Sequence, residues 1–169
     1  MLRPINVENA EILILGSYPG LKSEGIDHYY ANISKNHFWK IMGKYTNDDV
    51  INSNLKKPYA IDFESMYNQL AKYNFGLWDL CKTVKRADGN SSDSNLECVE
   101  INTKLEEAIL GNRNLKRICF NGRKAERIFK RHNKKVAVDM VYIPSSSYRC
   151  RGLDFNEKYR LWKEAFDSA

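Results

Sequence analysis

Four short clusters carry the residue types that could do chemistry: Gly16-Ser17-Tyr18-Pro19-Gly20, Asp79, Asn121-Gly122 and Pro144-Ser145-Ser146-Ser147. Glycine-rich turns turn backbone N–H groups toward anions, Asn and Asp read hydrogen-bonding edges, and serines donate to phosphate oxygens. The first cluster lacks the Gly-Lys-Ser/Thr end of a P-loop, and it does not follow the Gly-x-Gly-x-x-Gly dinucleotide pattern. No serine sits in Gly-x-Ser-x-Gly, which leaves nucleophilic serine chemistry without support. Cys81, Cys98, Cys119 and Cys150 include no Cys-x-x-Cys pair, and His28, His37 and His132 stand apart. The cysteines therefore read as reduced packing residues, with no structural metal and no iron–sulfur cluster. Spacing alone yields a small polar pocket beside basic residues.

Those clusters need elements to hold them. Glu11 to Gly16 contains a continuous apolar run ending at glycine, which fits a buried parallel strand. Phe75–Leu80, with Asp79 at its end, Leu115–Phe120, stopped by Asn121-Gly122, and Val136–Ile143, stopped by Pro144, are further strand candidates. Phe63, Met66, Tyr67 and Leu70 follow helical spacing behind a capping Asp62. Ser94-Asn95-Leu96-Glu97 reads as a capping box before Ile101, Leu105 and Ile109. Ala125, Ile128, Phe129 and His132 form one helix face, and Phe155, Tyr159, Trp162 and Phe166 stripe the last helix. Strands alternating with helices predict an α/β fold: a three-layer α/β/α sandwich around a central, mostly parallel four-stranded sheet. Ligands in such sheets bind beyond the carboxyl ends of the strands, where all four clusters fall. Asp88 to Asn95 is a polar loop too short to divide domains, so residues 1–169 form a single domain.

Composition narrows the class. The chain has 169 residues, 43 % of them hydrophobic and 28 % charged, enough for a core and too apolar for a disordered tail. No run reaches the ~18 apolar residues of a membrane helix. Met1 to Asn6 carries no apolar leader, which sets the expectation of an intracellular protein, nucleoid-associated if prokaryotic. The net charge of +6 is unevenly placed: residues 1–110 hold 12 basic and 15 acidic side chains, residues 111–169 hold 15 and 6. The densest stretch, Arg113 to Lys135, has ten basic residues and one acidic. Such asymmetry suits a polyanion, nucleic acid first, although a solvated helix face is the plain alternative.

The clusters together resemble the uracil-DNA glycosylase superfamily. Leu15-Gly16-Ser17-Tyr18-Pro19-Gly20, Tyr29-Tyr30 and Asn36-His37-Phe38-Trp39-Lys40 resemble its first motif region, in the Gly-Ser-x-Pro form of the hypoxanthine-DNA glycosylase branch. Cys119-Phe120-Asn121-Gly122 resembles the strand end before its last motif. Pro144-Ser145-Ser146-Ser147-Tyr148-Arg149-Cys150 resembles the DNA-inserting loop, in the Pro-Ser-Ser-Ser-x-Arg-Cys form of the mismatch-specific thymine/uracil glycosylases. The chain departs from the pattern in the five residues between Tyr30 and Asn36, one more than expected and without the usual proline.

The resemblance implies a monofunctional, cofactor-free DNA glycosylase, with no lyase activity. It would hydrolyse the N-glycosidic bond of a deaminated base, hypoxanthine first and uracil second, and leave an abasic site. Asn36 would position the water, since Ser17 stands where most relatives have Asp or Asn. Capping the helix that follows is the plain reading of Asn36; the water-positioning role outweighs it, and the two roles are compatible. Gly16, Ser17, Tyr18, Tyr30, Phe38, Asp79 and Asn121 would line the base pocket. A carboxylate at Asp79 would accept from N1–H of hypoxanthine or N3–H of uracil, although a turn cap is the plain reading. Pro144, Ser145, Ser146 and Ser147 would clasp DNA phosphates, with Arg149 ahead of Tyr148 as the wedge filling the vacated stack. The partner would be DNA carrying a damaged or mispaired base, met by a monomer without membrane contact. Alternatives are a mismatch-specific uracil/thymine-DNA glycosylase, against which Ser17 argues, and a non-catalytic damaged-DNA-binding protein on the same scaffold.

Overall fold

Strand β1, Ile12–Gly16, is the centre of the molecule, and its alternation sorts the core into two halves. Ile12 and Ile14 face one cluster of buried residues, while Leu13 and Leu15 face another. In this computed structural model, which describes residues 1–87, 96–133, 135–150 and 152–169, β1 is flanked by β2 (Phe75–Asp79) and β5 (Arg117–Asn121). β6 (Asp139–Ile143) pairs beyond β5, giving the order β2-β1-β5-β6 with every pairing parallel. The expected four-stranded sheet is present and entirely parallel. Ile5 bridges Leu77 and covers part of the edge of β2.

Helices cover both faces, because β1, β2 and β5 are buried on both sides. The first face packs α2 (Phe38–Thr46), α3 (Asp49–Leu55), α4 (Phe63–Lys72) and α7 (Phe155–Asp167), with Trp39, Met66 and Trp162 fully buried. The second packs α5 (Lys104–Gly111) and α6 (Arg123–His132) through Leu105, Ile109, Ala125 and Phe129. α1 (Leu21–Ile26) is a short helix after the first cluster. Asp62 caps α4 through Ser65 N–H, as its position predicts. α7 opens on a full capping box, with Asp154 accepting from Glu157 N–H and Glu157 from Asp154 N–H.

Two expectations are corrected. Leu96 to Ile101 is not the start of a helix but strand β4, antiparallel to β3 (Cys81–Arg86) in a separate two-stranded sheet. Ser94 and Asn95, which open the proposed capping box, lie outside the described residues, as does the Asp88–Asn95 loop. The helix starts only at Lys104. Leu96 to Ile101, Leu-Glu-Cys-Val-Glu-Ile, does not alternate strictly between apolar and polar residues, so the run carries no clean strand signature against the capping residues before it. The second correction concerns the cysteines. Cys81 and Cys98, on facing strands with Cα atoms 5.7 Å apart, form a disulfide. Cys119 and Cys150 are free, the former buried. Sequence spacing could not show a pairing that depends on β3 and β4 lying side by side.

Candidate active site

The four clusters meet at the carboxyl edge of the sheet. Gly16, Asp79 and Asn121 end β1, β2 and β5, and Pro144 follows β6. Register pairs Gly16 with Asp79 directly. The corner is so tight that a Cβ on Gly16 would lie 2.7 Å from Asp79 Oδ1 and 3.7 Å from the Tyr30 hydroxyl. Glycine is therefore required here for space. Asp79 is 3 % exposed, and its backbone carbonyl accepts from the Asn102 side chain. Leu80 and Cys81 N–H donate to the Gly16 and Ser17 carbonyls, tying β3 to the first cluster.

Asn121 braces the corner. Its Nδ2 donates to the Tyr30 hydroxyl at 3.0 Å and to Ser146 Oγ at 2.9 Å, while Oδ1 accepts from Ser146 N–H at 2.8 Å. Both amide hydrogens are thus engaged, and the residue is a strut that ties the end of β5 to the Tyr30 loop and the serine loop. Gly122 follows with φ +101°, a conformation that favours glycine, and turns the chain into α6. Tyr30 also takes a left-handed φ of 53° and lays its ring on Phe38 with centroids 3.9 Å apart. Phe38 is fully buried beneath it, so Tyr30 presents the aromatic surface and Phe38 backs it. Tyr18 stands further out: its hydroxyl donates to Glu24 at 2.8 Å, and the Arg86 guanidinium lies 5.5 Å from its ring centroid. Burial, then the bond to Glu24, pushes the Tyr18 phenol up to about 12, keeping it neutral. Ser17 is buried at the floor of this loop.

The second half of the site is a seam between two loops. Asn36 bridges Ser147, His37 N–H donates to the Ser146 carbonyl at 2.8 Å, and Tyr148 N–H donates to the Lys35 carbonyl at 3.2 Å. The motif that carries Asn36 is thereby joined to the Pro144–Cys150 loop. Asn36 Oδ1 accepts from Phe38 N–H at 2.9 Å, which fixes the side chain and leaves one amide-oxygen lone pair for another donor. His37, not Asn36, is the residue immediately preceding α2. Trp162 Nε1–H anchors the serine loop through the Pro144 carbonyl at 2.8 Å.

Tyr148 is held back against α2. Its ring lies 4.0 Å from that of His37, and Lys40 Nζ donates to its hydroxyl at 3.2 Å. Arg149 is exposed at the next position, its N–H donating to Ser147 Oγ at 3.2 Å. On the basic helix α6, Glu126 takes Arg123 and Lys130, and Lys124 reaches the Leu96 carbonyl. Arg127 and Arg131 remain exposed.

Lys158 is the residue that sequence reasoning missed. It sits on α7 with no exposed surface, and its Nζ donates to the Ser147 carbonyl at 3.0 Å and lies 3.4 Å from His37 Nδ1. Burial holds its pKa below that of an ordinary lysine. Burial, then the Lys158 and Lys40 charges, lowers His37 to about 4, so its ring is neutral and can accept from Lys158. Only the position of Lys158 one helical turn after Asp154, on the aromatic-striped helix, hinted that it faces inward.

Among the described residues no group of three or more His, Cys, Asp or Glu is placed to hold a metal ion, and no helix is long and apolar enough to cross a membrane. A family model for the uracil DNA glycosylase superfamily matches residues 4–166. Hypoxanthine DNA glycosylase from Methanosarcina barkeri is 36 % identical over 124 residues, covering 72 % of this chain and 70 % of that protein. Hypoxanthine DNA glycosylase from Methanosarcina acetivorans is 34 % identical over 161 residues, covering 94 % and 92 %. A solution NMR structure from Methanosarcina acetivorans, described as a candidate uracil DNA glycosylase, superposes with a TM-score of 0.76 at 30 % identity, covering 99 % of this chain and 95 % of that one. The fold, the converging strand ends and these relatives agree: the chain belongs to the uracil-DNA glycosylase superfamily.

Proposed function

We infer that this DNA glycosylase removes deaminated bases, hypoxanthine first and uracil second, and that Asn36 positions the hydrolytic water. The observation that carries the reading is the seam of Asn36 with Ser147, which sets a water-holding amide beside a serine loop suited to DNA phosphates. The two relatives named as hypoxanthine DNA glycosylases support the choice of base.

The target nucleotide leaves the stack at a cost of about a few kcal/mol, lowest for weak pairs. Ser145 and Ser147 hydroxyls and loop N–H groups hold the flanking phosphates, Arg149 fills the gap, and the base lies against Tyr30. Asp79 accepts from the ring N–H of the lactam, a contact that adenine, with no proton on N1, cannot make. Water held by Asn36 Oδ1 adds to C1′ as the C1′–N bond lengthens. The bonding pair leaves with the base, the water's second proton passes to solvent or to the departing base anion, and the sugar becomes the abasic hemiacetal. An amide is a poor base, so Asn36 works by orientation, and the cationic sugar supplies the driving force.

The test uses end-labelled oligonucleotides carrying one hypoxanthine, one uracil or one G-paired thymine, single- and double-stranded, with alkali to reveal abasic sites. Wild type should cut the hypoxanthine strand fastest, and Asn36→Ala should lose that activity. Persistent cutting by the variant would move the role to Asp79 or the Ser17 loop. Retention of damaged DNA without cutting would leave a binding protein.

A further inference from the structure

We propose that Lys158 is a positioning residue for the glycosylase reaction, its buried ammonium locking the Asn36 loop to the DNA-facing serine loop. The inference rests on the role of Asn36 argued above.

Lys158 is fully buried, and among the described residues no carboxylate pairs with it. A cation removed from water without a counter-ion costs folding free energy. Its donors go instead to the Ser147 carbonyl and to His37 Nδ1. Both acceptors belong to the seam. Ser147 bridges Asn36, and His37 is the next residue in the chain. The neutral His37 ring is wedged between Tyr148 at 4.0 Å and Phe155 at 5.2 Å, so the lysine also fixes the platform under Tyr148. One ammonium therefore sets the spacing between the water-holding amide and the phosphate-holding loop. No neutral aliphatic side chain of this length supplies these two donors.

A residue retained at a folding cost is expected to trade stability for activity. Ser147 and His37 are only part-buried, so water can satisfy their acceptors once the lysine is gone. Lys158→Met, of similar length and neutral, should melt at or above the wild-type temperature. It should nevertheless cleave hypoxanthine-containing DNA about a hundredfold slower at saturating enzyme, the loss expected from misplacing a reacting group by about 1 Å. In the Asn36→Ala background the same substitution should add less than about twofold, because the positioned group is already absent.

The experiment measures melting temperature and single-turnover cleavage at saturating enzyme for wild type, Lys158→Met, Asn36→Ala and the double variant. A stable but slow Lys158→Met with a non-additive double variant is the expected result. A variant that melts well below wild type, or a double variant showing the product of the two losses, would make Lys158 a folding residue and overturn the inference. Undiminished cleavage by Asn36→Ala would overturn it too, by a distinct route: the water-positioning reading itself would have failed.

Discussion

The Asn121 strut allows the sharpest test of how the site is held. Asn121→Ala removes three hydrogen bonds of 2.8 to 3.0 Å. At about 1 kcal/mol each these contribute about 3 kcal/mol. Ser146 is 1 % exposed, so its N–H, left without an acceptor, cannot readily turn to water. That orphaned donor adds about another 1 kcal/mol. A total near 4 kcal/mol, at ~2–4 °C per kcal/mol for a chain of this size, lowers the melting temperature by about 10 °C. Asn121→Asp keeps the acceptor for Ser146 N–H, and both hydroxyls can rotate to donate to it. It should lose about half as much, the remaining loss coming from a second carboxylate set in the corner that already holds Asp79. Thermal unfolding followed by circular dichroism gives the shifts, and single-turnover cleavage shows whether the released Tyr30 slows the reaction. A shift below about 3 °C for Asn121→Ala would refute the strut, since the three bonds would then contribute no more than solvent does.

Gly16→Ala should be destabilised by about 1–3 kcal/mol and lose most cleavage, because the new Cβ must displace Asp79 Oδ1 from 2.7 Å; unchanged kinetics would show that Asp79 does not read the base. His37, lowered to about 4 by burial and by Lys158 and Lys40, gives a pH dependence of stability. The unfolded chain binds this proton from pH ~6.5 downward while the folded one resists it. That stability is therefore intact above pH ~6.5 and lost as pH falls toward 4. His37→Asn should flatten a denaturant-melt series across this window. Reducing the Cys81–Cys98 bridge, which spans a sequence separation of 17, should lower the melting temperature by the equivalent of about 3 kcal/mol, and identical melts with and without dithiothreitol would show that the bridge does not stabilise the fold.

The sheet was readable because three of its strands, β1, β2 and β5, are buried on both faces. Ile12 to Leu15 is apolar without interruption, and only a parallel sheet between two helical layers accommodates that. Gly16, Asn121-Gly122 and Pro144 stop three of the strand runs and Asp79 lies at the end of the fourth, so the sequence alone puts the candidate site at the carboxyl edge of the sheet. The β3–β4 sheet was hidden because Ser94-Asn95-Leu96-Glu97 satisfies a helix-capping pattern, and local sequence cannot choose between that helix and a strand opening at Leu96. Pairing with β3 decides it.

Local order in the chain thus determined the two-sided core, the carboxyl-edge location of the site and the residue types available there. Tertiary structure alone decided which of those residues work together. Asn36 and Ser147 are far apart in sequence and meet only as a backbone bridge, and Lys158 reaches both loops only because α7 packs beneath them. Periodicity reports which face of an element is buried. Which loops touch at the end of a sheet depends on strand order, and strand order is fixed by packing between segments that no local pattern encodes.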